Sequence, residues 1–437
     1  MSRARAVVLI VSGAALLALT ALGLVIQWHD NLNWFLLVAA MQSAVYGAAV
    51  WSVWRGAASR RIVIGIAAVA LLMRLPIVCT PPYLSTDVYR YVWDGRVIAA
   101  GIDPYRYVPA DPHLEALRDP DIFPQINRAN SAVTIYPPIA EALFFAVTRV
   151  SETASAMKAA MAGFEIVTFV LLVHLLAVEG LPSGRVLVYA WHPLPLWEFA
   201  GSGHVDAALI AFAVAAIAVA RRRHPAVSGF LLAAATLIKF YPAVLLPALQ
   251  RRRGWVMAAA FAGGIVIAYL PFVVLGVRPL GFLAGYAAEE GFDAGGAGFY
   301  LLAVLRQLPP LSELGALPYM IGAGAVLAVL AAAAFFTRVD TSSPLRAAAL
   351  LATAFVVLAS PHYAWYFVWL IVFACFVRPG ALLWLTNSCV LLYLVPVGSH
   401  IVRDPHRLAV ESIVYGPFAA LALVDLWYHR RRATRSR

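Results

Sequence analysis

Residues 62–106 read IVIGIAAVALLMRLPIVCTPPYLSTDVYRYVWDGRVIAAGIDPYR, and they join the two features that define this chain. The apolar run from Ile62 to Cys79 is long enough to cross a bilayer. The stretch from Leu84 to Arg106 follows at once and carries three aspartates and three arginines. Charged groups next to hydrocarbon are costly and usually mark function. The pattern therefore predicts a membrane protein with a polar site at one membrane face.

The composition extends this prediction to the whole chain. Of 437 residues, 62% are hydrophobic and 13% are charged, with a mean hydropathy of +0.81, whereas soluble domains are about a quarter charged. We predict an all-α polytopic protein that forms a single domain over 1–437, with about 11–13 transmembrane or partial spans. The apolar run at 6–26 is expected to stay as the first helix.

The net charge of +11 comes largely from short arginine clusters between apolar runs, which argues against nucleic-acid binding. The clusters at 221–223, 251–253 and 430–432 are typical of cytoplasmic anchors under the positive-inside rule. Counting spans from them predicts a multi-pass protein with cytoplasmic termini. The Ala- and Arg-rich composition suggests a bacterial inner membrane. The loop 81–132, with seven acidic residues and five arginines, then lies on the outer, periplasmic face. Long loops of this kind are often functional.

Three apolar segments have an uncertain crossing status: 136–150, 186–200 and 225–250. The first opens with Tyr136-Pro137-Pro138, and it is the candidate for a non-crossing element. The third is divided at Lys239-Phe240-Tyr241-Pro242 into two pieces that are each too short to span. Broken backbone at membrane depth is tolerated only where protein or water surrounds it. We therefore expect this break to form part of a site wall.

Five short motifs follow one another over roughly residues 80–370. They are Ser85-Thr86-Asp87-Val88-Tyr89 with Trp93-Asp94-Gly95-Arg96 and Gly101-Ile102-Asp103-Pro104-Tyr105; Ile135-Tyr136-Pro137-Pro138; His192-Pro193 through Glu198 to Gly203-His204-Val205-Asp206; Lys239-Phe240-Tyr241-Pro242; and Ser360-Pro361-His362-Tyr363 with Trp365-Tyr366. In order and spacing the chain resembles the GT-C glycosyltransferases, specifically family 87 and its polyprenol-phosphate-mannose-dependent relatives.

The resemblance implies a GT-C-like fold with a large catalytic loop after the third span. It also implies transfer of a hexose, mannose above others, from a polyprenyl phosphate to a lipid or glycan acceptor, with inversion. No cofactor is expected. Eukaryotic relatives often carry two acids spaced by one residue in the first loop, but Tyr89 occupies the second position here. A divalent metal is therefore possible but not favoured.

Asp87 is the predicted general base, because the acceptor hydroxyl needs a carboxylate within hydrogen-bond reach. The alternative is that Asp87 caps the helix that follows it. Asp94 lies two helical turns further on, and either binds substrate hydroxyls or pairs with Arg90, itself a candidate substrate ligand. Glu198, His204 and Asp206 surround a glycine-rich turn. They either bind substrate or form a structural hydrogen-bond network.

Four cations are candidates for the donor phosphate: Lys239, His362, Arg403 and Arg407. Lys239 alternatively reaches the interface by snorkelling, His362 caps a helix, and the two arginines lie in a solvated loop. The spacing at 88–98 predicts an amphipathic helix on the membrane surface. The aromatic residues Tyr89, Tyr91, Trp93, Tyr105 and Tyr107 either stack on a sugar or form an interfacial belt.

Two other function classes remain open. A transporter or flippase of lipid-linked sugars also uses broken helices, but its polar groups concentrate near the bilayer midplane. Most candidate groups of this chain gather at one face, which favours an enzyme. A non-catalytic lipid-binding subunit is the third possibility, and it would tolerate loss of Asp87.

Overall fold

The fold is described from a computed structural model of the chain. It describes residues 2–54, 56, 58–222, 224–250, 254–274, 276, 280, 285, 298–336, 343–396 and 405–435, the side chains of the last helix as far as 427. All regular structure in these ranges is helical, with no strand. One continuous hydrophobic core joins side chains from Leu9 to Phe418. The predicted all-α fold is confirmed.

The α-helices of the described ranges are numbered α1 to α18 in chain order. They are α1 (Arg3–Trp28), α2 (Leu32–Val53), α3 (Arg60–Val78), α4 (Asp87–Ala99), α5 (Pro138–Thr148), α6 (Ala154–Val178), α7 (Leu187–Ala190), α8 (Pro193–Pro195), α9 (Asp206–Arg221), α10 (Pro225–Thr236), α11 (Leu246–Gln250), α12 (Val256–Val274), α13 (Tyr300–Leu305), α14 (Ala316–Phe336), α15 (Pro344–Ala359), α16 (Leu370–Ala374), α17 (Gly380–Ser388) and α18 (Pro405–Arg435).

Seven helices in the described part of the chain are long and apolar enough to cross a membrane, which makes this an integral membrane protein. They are α1, α2, α3, α6, α12, α14 and residues 405–427 of α18. Side-chain caps begin three of them, since Ser2, Asn31 and Thr153 each accept a hydrogen bond from a backbone N–H of the first turn. Shorter apolar helices fill the space between these spans.

A buried ion pair ties α3 to α6. The Arg74 guanidinium donates from Nε and Nη2 to both carboxylate oxygens of Glu165, at 3.0 and 2.6 Å. Its Nη1 donates to the carbonyl oxygens of Ala70 and Ala190. No sequence pattern indicates a role for either residue. The paired geometry makes both of them part of the helix packing.

The predicted surface helix exists, but it is not on a surface. Helix α4 spans Asp87–Ala99 and buries eight of its 13 residues, among them Tyr91 and Trp93. It packs so closely on α5 that a Cβ at Gly95 would lie 2.5 Å from the Phe144 carbonyl oxygen. The loop 100–132 covers its other side, fixed by the ion pair of Arg96 with Asp119. Arg96 also pairs with Glu152, which lies between α5 and α6. The prediction of a membrane-surface helix was therefore wrong, because loop and bundle enclose it.

The three segments of uncertain crossing status are all short or broken. Helix α5 has 11 residues, about 16 Å of helix against a hydrocarbon core of about 30 Å. Residues 183–201 form a 3₁₀ turn, α7, α8 and a π-helix at Leu196–Gly201. Helix α10 ends at Thr236, and a 3₁₀ helix at Tyr241–Leu245 precedes α11. None of these pieces is long enough to cross by itself.

Candidate active site

A cavity of about 790 Å³ opens between the start of α4, the break after α10 and the segment after α15. Its walls come from separate parts of the chain: 83–87, 127–128, 132–137, 239–241, 355–366 and 392–396, with Arg90, Leu280, Arg407 and Glu411. Four of the five predicted motifs therefore contribute to one cavity. The remaining motif, around His204, lies directly behind the wall. The Leu237 carbonyl holds two motifs together by accepting from Ile139 and Ala140 at the start of α5.

Asp87 is the acid at the centre of this wall. It is the first residue of α4 and Thr86 occupies the cap position, so the alternative that Asp87 is the helix cap was wrong. Its Oδ1 accepts a hydrogen bond of 2.9 Å from Asn127 Nδ2, and its side chain stays 21% exposed. Burial raises the pKa of Asp87, while the ammonium of Lys239, the Asn127 hydrogen bond and Arg128 oppose that shift.

Lys239 supplies a cation to the same wall. Its Nζ donates to Asp206 Oδ2 at 2.6 Å and lies 4.9 Å from the ring centre of Tyr366. The Tyr241 hydroxyl donates to the other oxygen of Asp206 at 2.7 Å. Lys239 lines the cavity. The interpretation that it snorkels to the interface does not account for its pairing with Asp206. Asp206 is fully buried behind it as a counter-ion.

His204 and Glu198 form a buried layer behind Asp87. Both are 0% exposed. His204 Nδ1 lies 3.9 Å from Asp87 Oδ2, and His204 Nε2 lies 3.4 Å from Glu198 Oε2. Gly203 makes the approach possible, because its φ of +76° suits glycine and a Cβ there would lie 2.8 Å from Val88. Burial, and secondarily Lys239, lower the pKa of His204, which favours the neutral ring.

Asp94 is paired with Arg90 rather than open to the cavity. The Arg90 Nε donates to Asp94 Oδ1 at 2.8 Å, and its Nη1 donates to the Ala132 carbonyl. Asp94 is 1% exposed, whereas Arg90 borders the cavity. Of the two alternatives for Asp94, the structure has the ion pair. Arg90 holds the 132–137 wall in place and remains a candidate ligand.

The aromatic wall differs from the one expected. Tyr91 and Trp93 are buried in the core, so they can neither stack on a sugar nor form an interfacial belt. Instead, Tyr363 and Trp365 line the cavity and stack on each other with ring centres 4.4 Å apart. Trp365 in turn stacks on His204 at 4.2 Å. Such flat apolar faces suit a pyranose ring.

The remaining predicted phosphate ligands divide into three cases. His362 borders the cavity just after Ser360, which ends α15 in the left-handed conformation. Arg407 also borders it, but within α18, where its side chain is buried and bonded to Glu411 and the Gly298 carbonyl. The solvated-loop interpretation of Arg407 was therefore wrong. Arg403 lies outside the described residues. Within the described ranges, no group of three or more His, Cys, Asp or Glu side chains is placed to hold a metal ion.

Residues 4–259 match the family described as Alpha-(1->6)-mannopyranosyltransferase, N-terminal domain. The chain belongs to this mannopyranosyltransferase family. The match covers more than half of the sequence and includes Asp87, His204 and Lys239, whereas Trp365 and Tyr393 lie beyond it. No curated protein and no solved structure matches the chain.

Membership of the mannopyranosyltransferase family establishes an enzyme of mannosyl transfer, and with it a sugar donor and an acceptor. It confirms the family-87-like resemblance, and among the hexoses it favours mannose. The roles of the individual residues stay predictions.

Several residues of the site had no sequence signal. Asn127 and Arg128 come from the far end of the 81–132 loop. Tyr393, which donates to Glu198 at 2.8 Å, comes from a run that reads as an ordinary span. Arg128 has a φ of +54°, unusual for a side chain that is not glycine. Only the fold brings these residues to Asp87.

Proposed function

We propose that this protein transfers a mannosyl group from a polyprenyl-phosphate donor to a hydroxyl of a lipid or glycan acceptor, with Asp87 as the general base. The observation that carries the proposal is the position of Asp87: a partly exposed carboxylate in an apolar-walled cavity, with Lys239 and Arg128 as nearby cations. A base and cations at one point are what displacement at an anomeric carbon needs when the leaving group is a phosphate.

The proposed step is a single displacement. The acceptor oxygen attacks the anomeric carbon, the bond from that carbon to the phosphate oxygen breaks, and Asp87 takes the hydroxyl proton. The electron pair leaves with the phosphate, whose charge Lys239 and Arg128 stabilise. One carboxylate is enough for this reaction, which inverts the anomeric centre. No metal is assigned to it.

Lys239 is paired with Asp206 in this structure. A phosphate adds two or three acceptor oxygens beside that pair, so Lys239 can contact the donor while Asp206 stays as its counter-ion. We propose that the cavity lies on the outer, periplasmic face of the inner membrane, and the positive-inside count supports this side. A lipid-borne donor enters such a site from the bilayer, which a water-soluble sugar nucleotide cannot do.

The test is transfer of radiolabelled mannose in proteoliposomes that contain the purified protein and a membrane lipid extract. Label is supplied either as polyprenyl-phosphate mannose or as GDP-mannose. We expect transfer from the lipid donor only, and a loss of about 10²–10⁴-fold in Asp87→Asn. Asp121→Asn is the matched control, since Asp121 is an exposed acid of the same loop outside the cavity lining. Transfer from GDP-mannose would overturn the proposed donor, and an active Asp87→Asn would overturn the proposed base.

A further inference from the structure

His204 is a buried histidine whose ring nitrogens lack the usual partners. Neither Nδ1 nor Nε2 makes a hydrogen bond to any described residue, and the same holds for Glu198 Oε2. All three atoms belong to side chains that are 0% exposed. Buried polar atoms are nearly always bonded in native proteins, so each exception needs a reason. Here the exceptions stand in a row behind Asp87.

The neighbouring groups hold this row in place. Trp365 stacks on the His204 ring at 4.2 Å, and the Gly203 turn fixes the backbone against α4. The other oxygen of Glu198, Oε1, accepts from the Tyr393 hydroxyl at 2.8 Å. One ring nitrogen therefore faces Asp87 and the other faces the free oxygen of Glu198.

The donor and acceptor roles of its two neighbours determine the tautomer of His204. A neutral imidazole has one N–H donor and one acceptor nitrogen. A base must be ionised before it accepts a proton, so Asp87 can only accept, and the proton belongs on Nδ1. The acceptor nitrogen Nε2 then needs a donor, and Glu198 supplies one only when its carboxyl is protonated.

We infer that a protonated Glu198 fixes the tautomer of His204, and that His204 Nδ1–H in turn orients Asp87 and keeps it ionised. This inference rests on the proposed role of Asp87 as the base. His204 and Glu198 are thus positioning residues that act through Asp87 without contact with substrate. Asp87 would accept from Asn127 at Oδ1 and from His204 at Oδ2, which leaves a second lone pair on each oxygen for the acceptor hydroxyl.

The distances fit a site that tightens when substrate binds. His204 Nδ1 would need to approach Asp87 Oδ2 by about 1 Å to form a normal hydrogen bond. Catalytic hydrogen bonds are often long without substrate and shorten in the reacting complex. A hydrogen bond donated to the charged form of a carboxyl lowers its pKa, so His204 offsets the rise that burial imposes on Asp87.

Loss of the His204 donor changes the pH dependence of transfer in a defined direction. Transfer needs ionised Asp87, so the rate falls as pH falls through the pKa of Asp87, and loss of the His204 donor moves that fall to higher pH. Other titratable or charged groups interact electrostatically with Asp87 or Glu198, and none of them is substituted in the experiment below. They are Lys239, Arg128, Asp206, Tyr91, Tyr136 and Tyr393.

The experiment compares two changes at Glu198 in the reconstituted transfer assay with polyprenyl-phosphate mannose. Glu198→Gln keeps a donor toward Nε2, so we expect kcat within about twofold of wild type and an unmoved acid limb. Glu198→Met removes the donor. We expect its kcat to fall about ten- to a hundredfold with unchanged KM, and its acid limb to rise by about one pH unit. His204→Phe keeps the stack on Trp365 and should reproduce the Met variant.

His192→Phe is the control for removing a buried histidine. His192 is equally buried but is bonded to Thr386 and to the Leu194 N–H, so its loss should lower the melting temperature without moving the acid limb. A Glu198→Gln variant as impaired as Glu198→Met would overturn the inference, because Glu198 would then act as an anion. Wild-type kinetics in both Glu198→Met and His204→Phe would also overturn it. If Asp87→Asn is active, the proposed general base is wrong, and this result is distinguishable from a failure of the inference about His204 and Glu198.

Discussion

Two buried acid–base sets in this protein differ in how fully they are bonded. Arg74 of α3 donates two hydrogen bonds to Glu165 of α6, and its Nη1 donates to two carbonyl oxygens. Behind Asp87, both ring nitrogens of His204 and one oxygen of Glu198 make no hydrogen bond to any described residue. The Arg74–Glu165 pair is closely bonded, whereas His204 and Glu198 can still form further hydrogen bonds.

In these two sets, the completeness of hydrogen bonding distinguishes helix packing from the proposed chemistry, whereas burial is the same in both. Ionisable groups inside a membrane are functional hypotheses by default, and by that rule Arg74 and Glu165 would rank with Asp87. Their closed geometry instead assigns them to packing, where removal of one partner leaves a buried charge. An incompletely bonded set beside a cavity can change its bonds during a reaction without breaking the fold.

The largest expected effect is on the closed pair. Arg74→Met leaves Glu165 buried without its cation, and breaking such a pair costs about 3–5 kcal/mol. We expect a large fall in the melting temperature in detergent, with unchanged transfer activity per folded molecule at low temperature. The double variant Arg74→Met, Glu165→Met should recover most of the stability. A single variant that melts like wild type would show that the pair is not structural.

A second prediction separates the two functions of Lys239. Lys239→Met removes a cavity cation and also leaves Asp206 buried without its counter-ion. We expect the KM for the lipid donor to rise about tenfold or more, because charge-assisted bonds to phosphate contribute about 1.5–3 kcal/mol. The melting temperature should fall as well.

Adding Asp206→Asn to Lys239→Met distinguishes these effects. The neutral amide no longer needs a cation, so stability should return while the donor KM stays high. If the KM also returns to the wild-type value, Lys239 affects the donor only through Asp206, and the phosphate contact is excluded.

The sequence predicted the parts of the fold that depend on composition and length. Apolar runs predicted a helical membrane protein, and Lys239-Phe240-Tyr241-Pro242 predicted a helix break that the structure places between α10 and α11. Asp87 follows the third span closely, so its place just beyond the end of α3 follows from local order along the chain.

The sequence could not predict which side chains meet across the fold. Amphipathic spacing in α4 is compatible both with a membrane surface and with burial under a loop, and only the return of residues 100–132 decides between them. Trp365 meets His204, and Tyr393 meets Glu198, across 161 and 195 residues of chain respectively. No local pattern encodes such contacts. The sequence pointed to Glu198 and His204, but their arrangement behind Asp87 could be found only from the structure.

The smallest expected effect concerns the aromatic wall. Tyr363 offers a flat face toward the cavity and is already held by its stack on Trp365, so a sugar ring can pack on it with little further ordering. Aromatic contacts of this kind contribute about 0.5–1.5 kcal/mol. Tyr363→Ala should therefore raise KM about two- to tenfold at unchanged kcat, and Tyr363→Phe should behave as wild type because it keeps the ring. Tyr107→Ala is the matched control, since Tyr107 stacks on His113 at 4.6 Å outside the cavity lining. An equal rise in KM in the Tyr107 variant would assign the effect to the loop as a whole. A fall in kcat in Tyr363→Ala would instead connect this ring, through Trp365 and His204, to the layer that orients Asp87.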